Sequence, residues 1–527
     1  MLATLLSATL VGLDGQVIRV EVDVASGLPG FTIVGLADAA LQEARERVRG
    51  AIRNAGFVHP PRRITVNLAP AEQRKAGASL DLAIALGILL GSEQVRAAPG
   101  RAALVGELSL GGEVRPVPGI LPMVAALARR GLRRVVVPAA SLDEAGLVEG
   151  IECIGVETLH DAAELLRRRP GRRATSAPPR VDLGADATIE PSSSAASDAV
   201  PVPSAPFAVA DLAEVRGQLE ARRGLEVALA GGHGLLLVGP PGSGKTLLAR
   251  TIPGLLPPLG DAEALAATIV ASVAGAEPRS LVRQAPVRAP HHTLSYAAMV
   301  GGGPRLSPGE VTLADHGVLF LDELPEYDRD VLESLRQPLE DGRVSVARAG
   351  RSTTFPARFQ LVAAMNPCPC GFAGSEPGRC RCGPGVPERY TGRVSGPLRD
   401  RIDLWVTMPK VAPAALIGGD EPEGSAAVAG RIADARARQR SRGSGRLNGR
   451  ASGRELKRIA AMSPLAARRA IELADLEGLS GRGTERLIRV ARTIADLAGA
   501  PAVLGEHLDE AARFRSPMAV LEAREAS

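Results

Sequence analysis

Aromatic side chains make up only 2% of this 527-residue sequence, with a single tryptophan. A nucleic-acid surface built on base stacking needs many rings, so that class is disfavoured. Alanine, valine and leucine must fill the cores, and a hydrophobic share of 45% is enough for that. Long apolar runs are also missing: none approaches the roughly 20 residues that span a bilayer, so no membrane partner is expected. Met1 to Gly12 is apolar but lacks a basic leader and is soon followed by Asp14, which suggests a buried strand rather than a signal peptide. Lysine occurs only at Lys75, Lys245, Lys410 and Lys457, so the net charge of +5 rests almost wholly on arginine. A surplus that small permits an anionic partner without requiring one. Cysteines number five, and four crowd between Cys368 and Cys382. Without a secretion signal, such crowding points to metal binding in a reducing cytoplasm rather than to disulfides.

The chain exceeds one ordinary core, and roughly three domains are expected. Residues 1–170 read as a mixed α/β unit. Val17 to Val22 and Ile64 to Leu68 alternate at strand period, Ala39 to Asn54 is a charged amphipathic helix, and Leu80 to Leu90 is apolar nearly all round. Residues 171–206 are rich in Pro, Ser, Ala and Asp, and cannot bury enough apolar area to offset their chain entropy, so they form a flexible linker. Residues 207–430 alternate strands with helices and place polar groups at strand ends, the pattern of a doubly wound parallel sheet. Residues 431–515 read as helical, and 516–527 as a polar tail.

Within the second unit, Leu235 to Val238 runs straight into Gly239-Pro240-Pro241-Gly242-Ser243-Gly244-Lys245-Thr246. The glycines let backbone N–H groups turn inward toward phosphate oxygens, and the helix that follows adds its N-terminal dipole. Lys245 then reaches the β/γ-phosphates of ATP, and the Thr246 hydroxyl ligates Mg²⁺. Val318 to Leu321 is a second buried strand and ends in Asp322-Glu323. Asp322 is placed to hold Mg²⁺, and Glu323 to polarise the attacking water. Asn366, at the end of a third strand, can position that water. A turn asparagine before Pro367 is the plainer alternative.

From Gly231 to about Ala500 the chain closely resembles the ComM/YifB group of Mg-chelatase-like AAA+ ATPases. The carrying motifs are the P-loop, Ala289-Pro290-His291-His292-Thr293, Gly317 to Glu323, Asn366-Pro367-Cys368-Pro369-Cys370-Gly371, Gly396 to Asp403, and Leu479-Ser480-Gly481-Arg482 through Ala495. The resemblance implies a homo-oligomeric ring, a hexamer, with ATP between subunits. It implies that Arg401 is the arginine finger, a group that can be worth about 10³–10⁵ in rate, and that Arg482 is the sensor 2 arginine of a C-terminal helical lid. From the residues alone, Arg399 rivals Arg401. His291 and His292, adjacent and so on opposite faces of a strand, receive no ligand role. Residues 342–357 look like a β-hairpin whose Arg348 and Arg351 touch phosphate in a central pore, or else an ordinary solvated hairpin.

Cys368-x-Cys370 and Cys380-x-Cys382 frame a short turn, so four thiolates could give tetrahedral Zn²⁺; reduced thiols in a loop are the alternative. In the first unit, Val66 to Ser79 and Gly106 to Val114 are similar to the Lon protease domain, which implies a Lon-protease-like (S5 domain 2-like) α+β domain. Ser79 occupies the nucleophile position, but Leu121 stands where a Ser-Lys dyad requires lysine, and Lys75 belongs to another part of the pattern. A fold without proteolysis is expected. The ComM resemblance implies a motor on branched or single-stranded DNA, acting in branch migration or unwinding during natural transformation and recombination. The arginine-rich stretch from Arg431 to Arg454 could add phosphate contacts or be a solvated face. Remodelling of a protein partner, as in a metal chelatase, is the competing class.

Overall fold

The computed structural model describes residues 1–35, 39–70, 78–96, 102–167, 209–303, 306–348, 351–374, 378–413, 422–442 and 445–515. The expected linker and polar tail lie outside these residues. The chain forms two compact units, Met1–Val202 with Thr268–Leu281, and Pro203–Ala267 with Val282–Ser527.

The first unit holds a seven-stranded mixed sheet built from β1 (Leu2–Val11), β2 (Asp14–Ala25), β3 (Gly30–Val34), β4 (Arg63–Ala69), β5 (Ala102–Leu104), β6 (Arg134–Pro138) and β7 (Glu152–Val156). Their order is β3-β4-β2-β1-β5-β6-β7, antiparallel where β2 meets β1 and β4, parallel elsewhere. Alternation in β2 drives Ile18, Val20, Val22 and Val24 into the core, as a period of two requires. Helix α1 (Ala39–Asn54) packs near α2 (Asp81–Gly91), which is buried at every position except Leu90. A Cβ at Gly87 would stand 2.5 Å from Val22 Cγ2, so glycine there lets α2 lie close against β2. Arg47 Nε donates to Asp81 Oδ2 at 2.8 Å and joins the two helices.

The second unit holds a five-stranded parallel sheet of β8 (Leu235–Val238), β9 (Val287–Arg288), β10 (Val318–Leu321), β13 (Gln360–Met365) and β14 (Leu404–Thr407). The order β9-β10-β13-β8-β14 puts β13 between the P-loop strand and the strand that ends in Asp322. Strands β8, β10 and β13 are buried throughout, which fits their apolar sequences; the one polar member, Gln360, donates to the carbonyls of Ala228 and His233. Between β10 and β13, β11 (Arg343–Arg348) and β12 (Arg351–Pro356) pair as an antiparallel hairpin with Arg348 opposite Arg351.

Helix α3 (Leu219–Gly231) joins this sheet to α5 (Ser425–Ser441), α6 (Gly453–Ala460), α7 (Pro464–Leu476), α8 (Gly481–Leu497) and α9 (Gly505–Arg513). Leu225 and Leu229 share one core with Leu235, Val406, Ile432, Val490, Ile494, Leu508 and Phe514. The expected boundary between residues 430 and 431 falls inside α5, where alanines carry the helix across it. The arginines of that stretch are largely engaged within the chain. Arg436 is buried on the Leu229 carbonyl, Arg431 pairs with Glu226 and Glu423, Arg438 donates to the Asp496 carbonyl, and Arg440 pairs with Glu263. Arg442 and the fully buried Arg492 converge on the Asp496 carboxylate.

Candidate nucleotide site

Strand β8 ends where the chain must pass under Met408: a Cβ at Gly239 would lie 2.3 Å from the Met408 carbonyl oxygen. Gly242 (φ +76°) and Gly244 (φ +92°) then take left-handed conformations in open space, so backbone shape rather than crowding requires glycine there. Helix α4 (Lys245–Arg250) starts immediately afterwards. Ser243 Oγ is buried and has no hydrogen-bond partner. A buried hydroxyl without a partner in a glycine-rich loop fits a site that takes a polar ligand.

Lys245 folds back into its own loop. Its Nζ donates to the carbonyls of Gly239 (2.7 Å) and Pro240 (2.9 Å) and to Asn366 Oδ1 (3.1 Å). Burial lowers the Lys245 pKa, while Asp322 and Glu323 pull it the other way. The Thr246 hydroxyl donates to Asp322 Oδ2 at 2.6 Å, and the Glu323 N–H donates to Asp322 Oδ1 at 2.9 Å. A hydroxyl and a carboxylate in direct contact beside a phosphate cradle form the oxygen donor set that suits Mg²⁺. Three strands that are far apart in sequence thus bring Lys245, Thr246, Asp322, Glu323 and Asn366 to one end of the sheet.

Glu323 sits at φ +51°, a strained setting for a residue with a Cβ. Its half-exposed carboxylate meets His292 Nδ1 at 3.4 Å. The loop after β9 turns at residues 292 and 293, so the His291 and His292 rings lie side by side, 4.1 Å between centroids, rather than on opposite faces. Tyr327 fixes that loop by donating to the Pro290 carbonyl at 2.6 Å, and its ring stands edge-on to His292. His292 was therefore missed in the sequence, because adjacency along the chain gave no sign that a turn would aim it at Glu323.

Arg401 and Arg482 gather elsewhere. Arg401 pairs with Glu340 and donates to the Pro397 carbonyl. Arg401 first and Arg482 second hold the Glu340 carboxyl below its usual range. Arg482 is exposed at the second position of α8, and Arg399 is half-buried. Among the described residues, neither Arg401 nor Arg482 makes a hydrogen bond or ion pair with Lys245, Thr246, Asp322, Glu323 or Asn366.

Residues 211–416 match the family described as magnesium chelatase, subunit ChlI, residues 20–141 match a second ChlI family, and residues 422–515 match the ChlI C-terminal family. YifB of Salmonella typhimurium is 40% identical over 518 residues, 98% of this chain and 97% of that protein. The chain belongs to the ComM/YifB family of Mg-chelatase-like ATPases. A further ComM/YifB relative, the competence protein ComM of Haemophilus influenzae, is 38% identical over 525 residues, 99% of each chain. An uncharacterized protein of Mycobacterium tuberculosis is 44% identical over 504 residues, 94% of each. Membership of the ComM/YifB family implies ATPase activity with ATP and Mg²⁺.

Two other features of this ComM/YifB chain bear on chemistry. Cys368, Cys370, Cys380 and Cys382 converge with all four sulfur atoms within 4.8 Å of one another. Backbone N–H groups of Arg381 and then Phe372 lower the Cys370 thiol to about 6. In the first unit Ser79 is buried and its Oγ donates to the Ala8 carbonyl at 3.0 Å. Leu121 is buried with its N–H on Glu144 Oε1, and Lys75 lies outside the described residues. Among the described residues no helix is long and apolar enough to cross a membrane.

Proposed function

We propose that the chain is an ATP-hydrolysing AAA+ ring motor that acts on DNA, in branch migration or unwinding during natural transformation and recombination. The observation that carries the ATPase half is the convergence of Lys245, Thr246, Asp322, Glu323 and Asn366 at the ends of three adjacent parallel strands. Lys245 already spends its hydrogen bonds on carbonyls that a phosphate would outcompete, because a charge-assisted bond to an oxyanion is the stronger one. Thr246 and Asp322 would hold Mg²⁺, which when bound would supply charge stabilisation for phosphoryl transfer. Glu323 accepts a proton from the attacking water, and Asn366 orients that water.

Arg401 stands apart from these five residues within one chain, which suits a finger that acts on a neighbour's nucleotide in a hexameric ring, and Arg482 is the sensor 2 arginine of the lid. The DNA half rests on the likeness, over nearly the whole chain, to a competence protein and on the hairpin tip at residues 348–351. The helices from α5 onward serve as the lid, and the first unit is a Lon-like domain without proteolysis. The Ser79 hydroxyl spent on a backbone carbonyl supports that last point. Remodelling of a protein partner is the second reading, favoured by the partial likeness to magnesium-chelatase subunit ChlI of Euglena gracilis, 26% identical over 160 residues, 25% of this chain and 45% of that protein.

ATPase turnover with forked or four-way-junction DNA separates the two. Stimulation by DNA, and none by duplex-free protein clients, supports the motor. No response to any DNA, with intact basal turnover, removes the DNA reading. Casein degradation that depends on Ser79 would restore the protease.

A further inference from the structure

The cysteine turn lies directly against the nucleotide site. Cys368 follows Asn366 by two residues, and Asn366 accepts from Lys245. The turn that begins at Cys368 closes with the Gly371 N–H on the Cys368 carbonyl at 2.9 Å. At Gly371 (φ +85°) a Cβ would stand 2.4 Å from Cδ of Pro241, so the turn rests flush on the P-loop. We propose that Cys368, Cys370, Cys380 and Cys382 bind one Zn²⁺ ion, and that the loaded turn braces the P-loop through Gly371 on Pro241. This inference rests on residues 239–246 being the nucleotide site.

Sulfur geometry supports the site. A Zn–S distance of about 2.3 Å in a regular tetrahedron sets sulfur–sulfur edges of about 3.8 Å. Cys368 lies 3.3 Å from Cys370 and 3.9 Å from Cys380, and Cys370 lies 3.6 Å from Cys380. The Ala373 N–H points at Cys368 Sγ at 3.2 Å, the kind of outer contact that holds a ligating sulfur in place. Burial argues the same way. No described residue from Phe372 to Gly385 is buried, and no strand or helix begins before Val386. With no apolar core to offset chain entropy, that segment needs another source of order, and a four-thiolate ion supplies one.

Bracing has a thermodynamic consequence. If Zn²⁺ favours the P-loop shape that receives nucleotide, then nucleotide must favour Zn²⁺ retention by the same factor. The test uses the full chain purified under reducing conditions, read by metal analysis, zinc X-ray absorption and binding of a fluorescent ATP analogue. The expected result is about one zinc per chain in an all-sulfur shell, and nucleotide affinity weakened about tenfold when chelator removes the ion. Restoring zinc restores the affinity, and saturating nucleotide raises the zinc affinity, read by competition with chelator at equilibrium, by the same factor. Gly371→Ala keeps the zinc and loses the affinity, which covers the case in which Cys380→Ser/Cys382→Ser fails to fold. Zinc well below stoichiometry overturns the site. Unchanged nucleotide affinity in zinc-free protein overturns the bracing. Zinc-loaded wild type that binds no nucleotide overturns the nucleotide-site reading, and this inference with it.

Discussion

Replacing Asp496 by alanine should loosen the helical end of the second unit about as much as truncating a buried leucine there. Asp496 Oδ1 accepts from Arg492 at 2.7 Å and from Arg442 at 2.6 Å, and Oδ2 accepts from Asn448 at 2.7 Å. Both the acid and Arg492 are 1% exposed at the side chain, so solvent cannot take over the freed guanidinium. Leaving a buried charge without its partner costs about 3–5 kcal/mol. Arg492 keeps the carbonyls of Ala500 and Pro501 as acceptors, which favours the lower end, about 3 kcal/mol. For a unit of roughly 300 residues that loss lowers the midpoint of thermal unfolding by about 4–5 °C. Calorimetry on the full chain measures it. Removing both partners in Asp496→Ala/Arg492→Leu should cost less than the single change, because the fully buried charge leaves with its partner, while Arg442, the other cation on Asp496, is a quarter exposed. A fall below about 2 °C for Asp496→Ala, or a double variant worse than the single, would refute the reasoning.

Two further changes address catalysis and pH. His292→Ala should lower kcat about tenfold with KM for ATP unchanged, since His292 touches Glu323 and none of the phosphate-cradle residues; a rise in KM alone would count against it. Burial pushes the Asp81 carboxyl from 3.8 to about 6 against the pull of Arg47. A carboxyl raised in this way binds an extra proton in the folded state, so its contribution to stability is present below about 4 and is lost as pH rises through about 6. Urea midpoints of the wild type should fall across that window, and Asp81→Asn should flatten the slope; an unaltered slope would exclude Asp81 as its source.

Much of the second unit could be read from sequence because its determinants are local. Four apolar residues followed by a glycine-rich loop, or by Asp322-Glu323, specify a buried strand and what stands at its end, and the structure has those strands at β8 and β10. Helix α1 spans the residues that its amphipathic period marks. What stayed hidden depends on turns and on distant partners. The pairing of His292 with Glu323 needs the loop after β9 to bend, and Arg401 on Glu340 joins residues 61 positions apart. The partners of the arginine-rich stretch are hidden for a related reason. Charge on a helix says nothing about whether a carbonyl such as that of Leu229, or a carboxylate such as Asp496, waits opposite it.

A site shared between subunits can be tested by mixing two inactive variants. On the proposed reading, Glu323→Gln lacks the water-polarising acid, and Arg401→Ala lacks the group offered to the neighbour. In rings formed from equal amounts of both, roughly a quarter of interfaces should join an intact acid to an intact arginine. The account predicts that about a quarter of wild-type ATPase activity returns on mixing. Mixed rings that assemble and yet stay as inactive as either parent would contradict it.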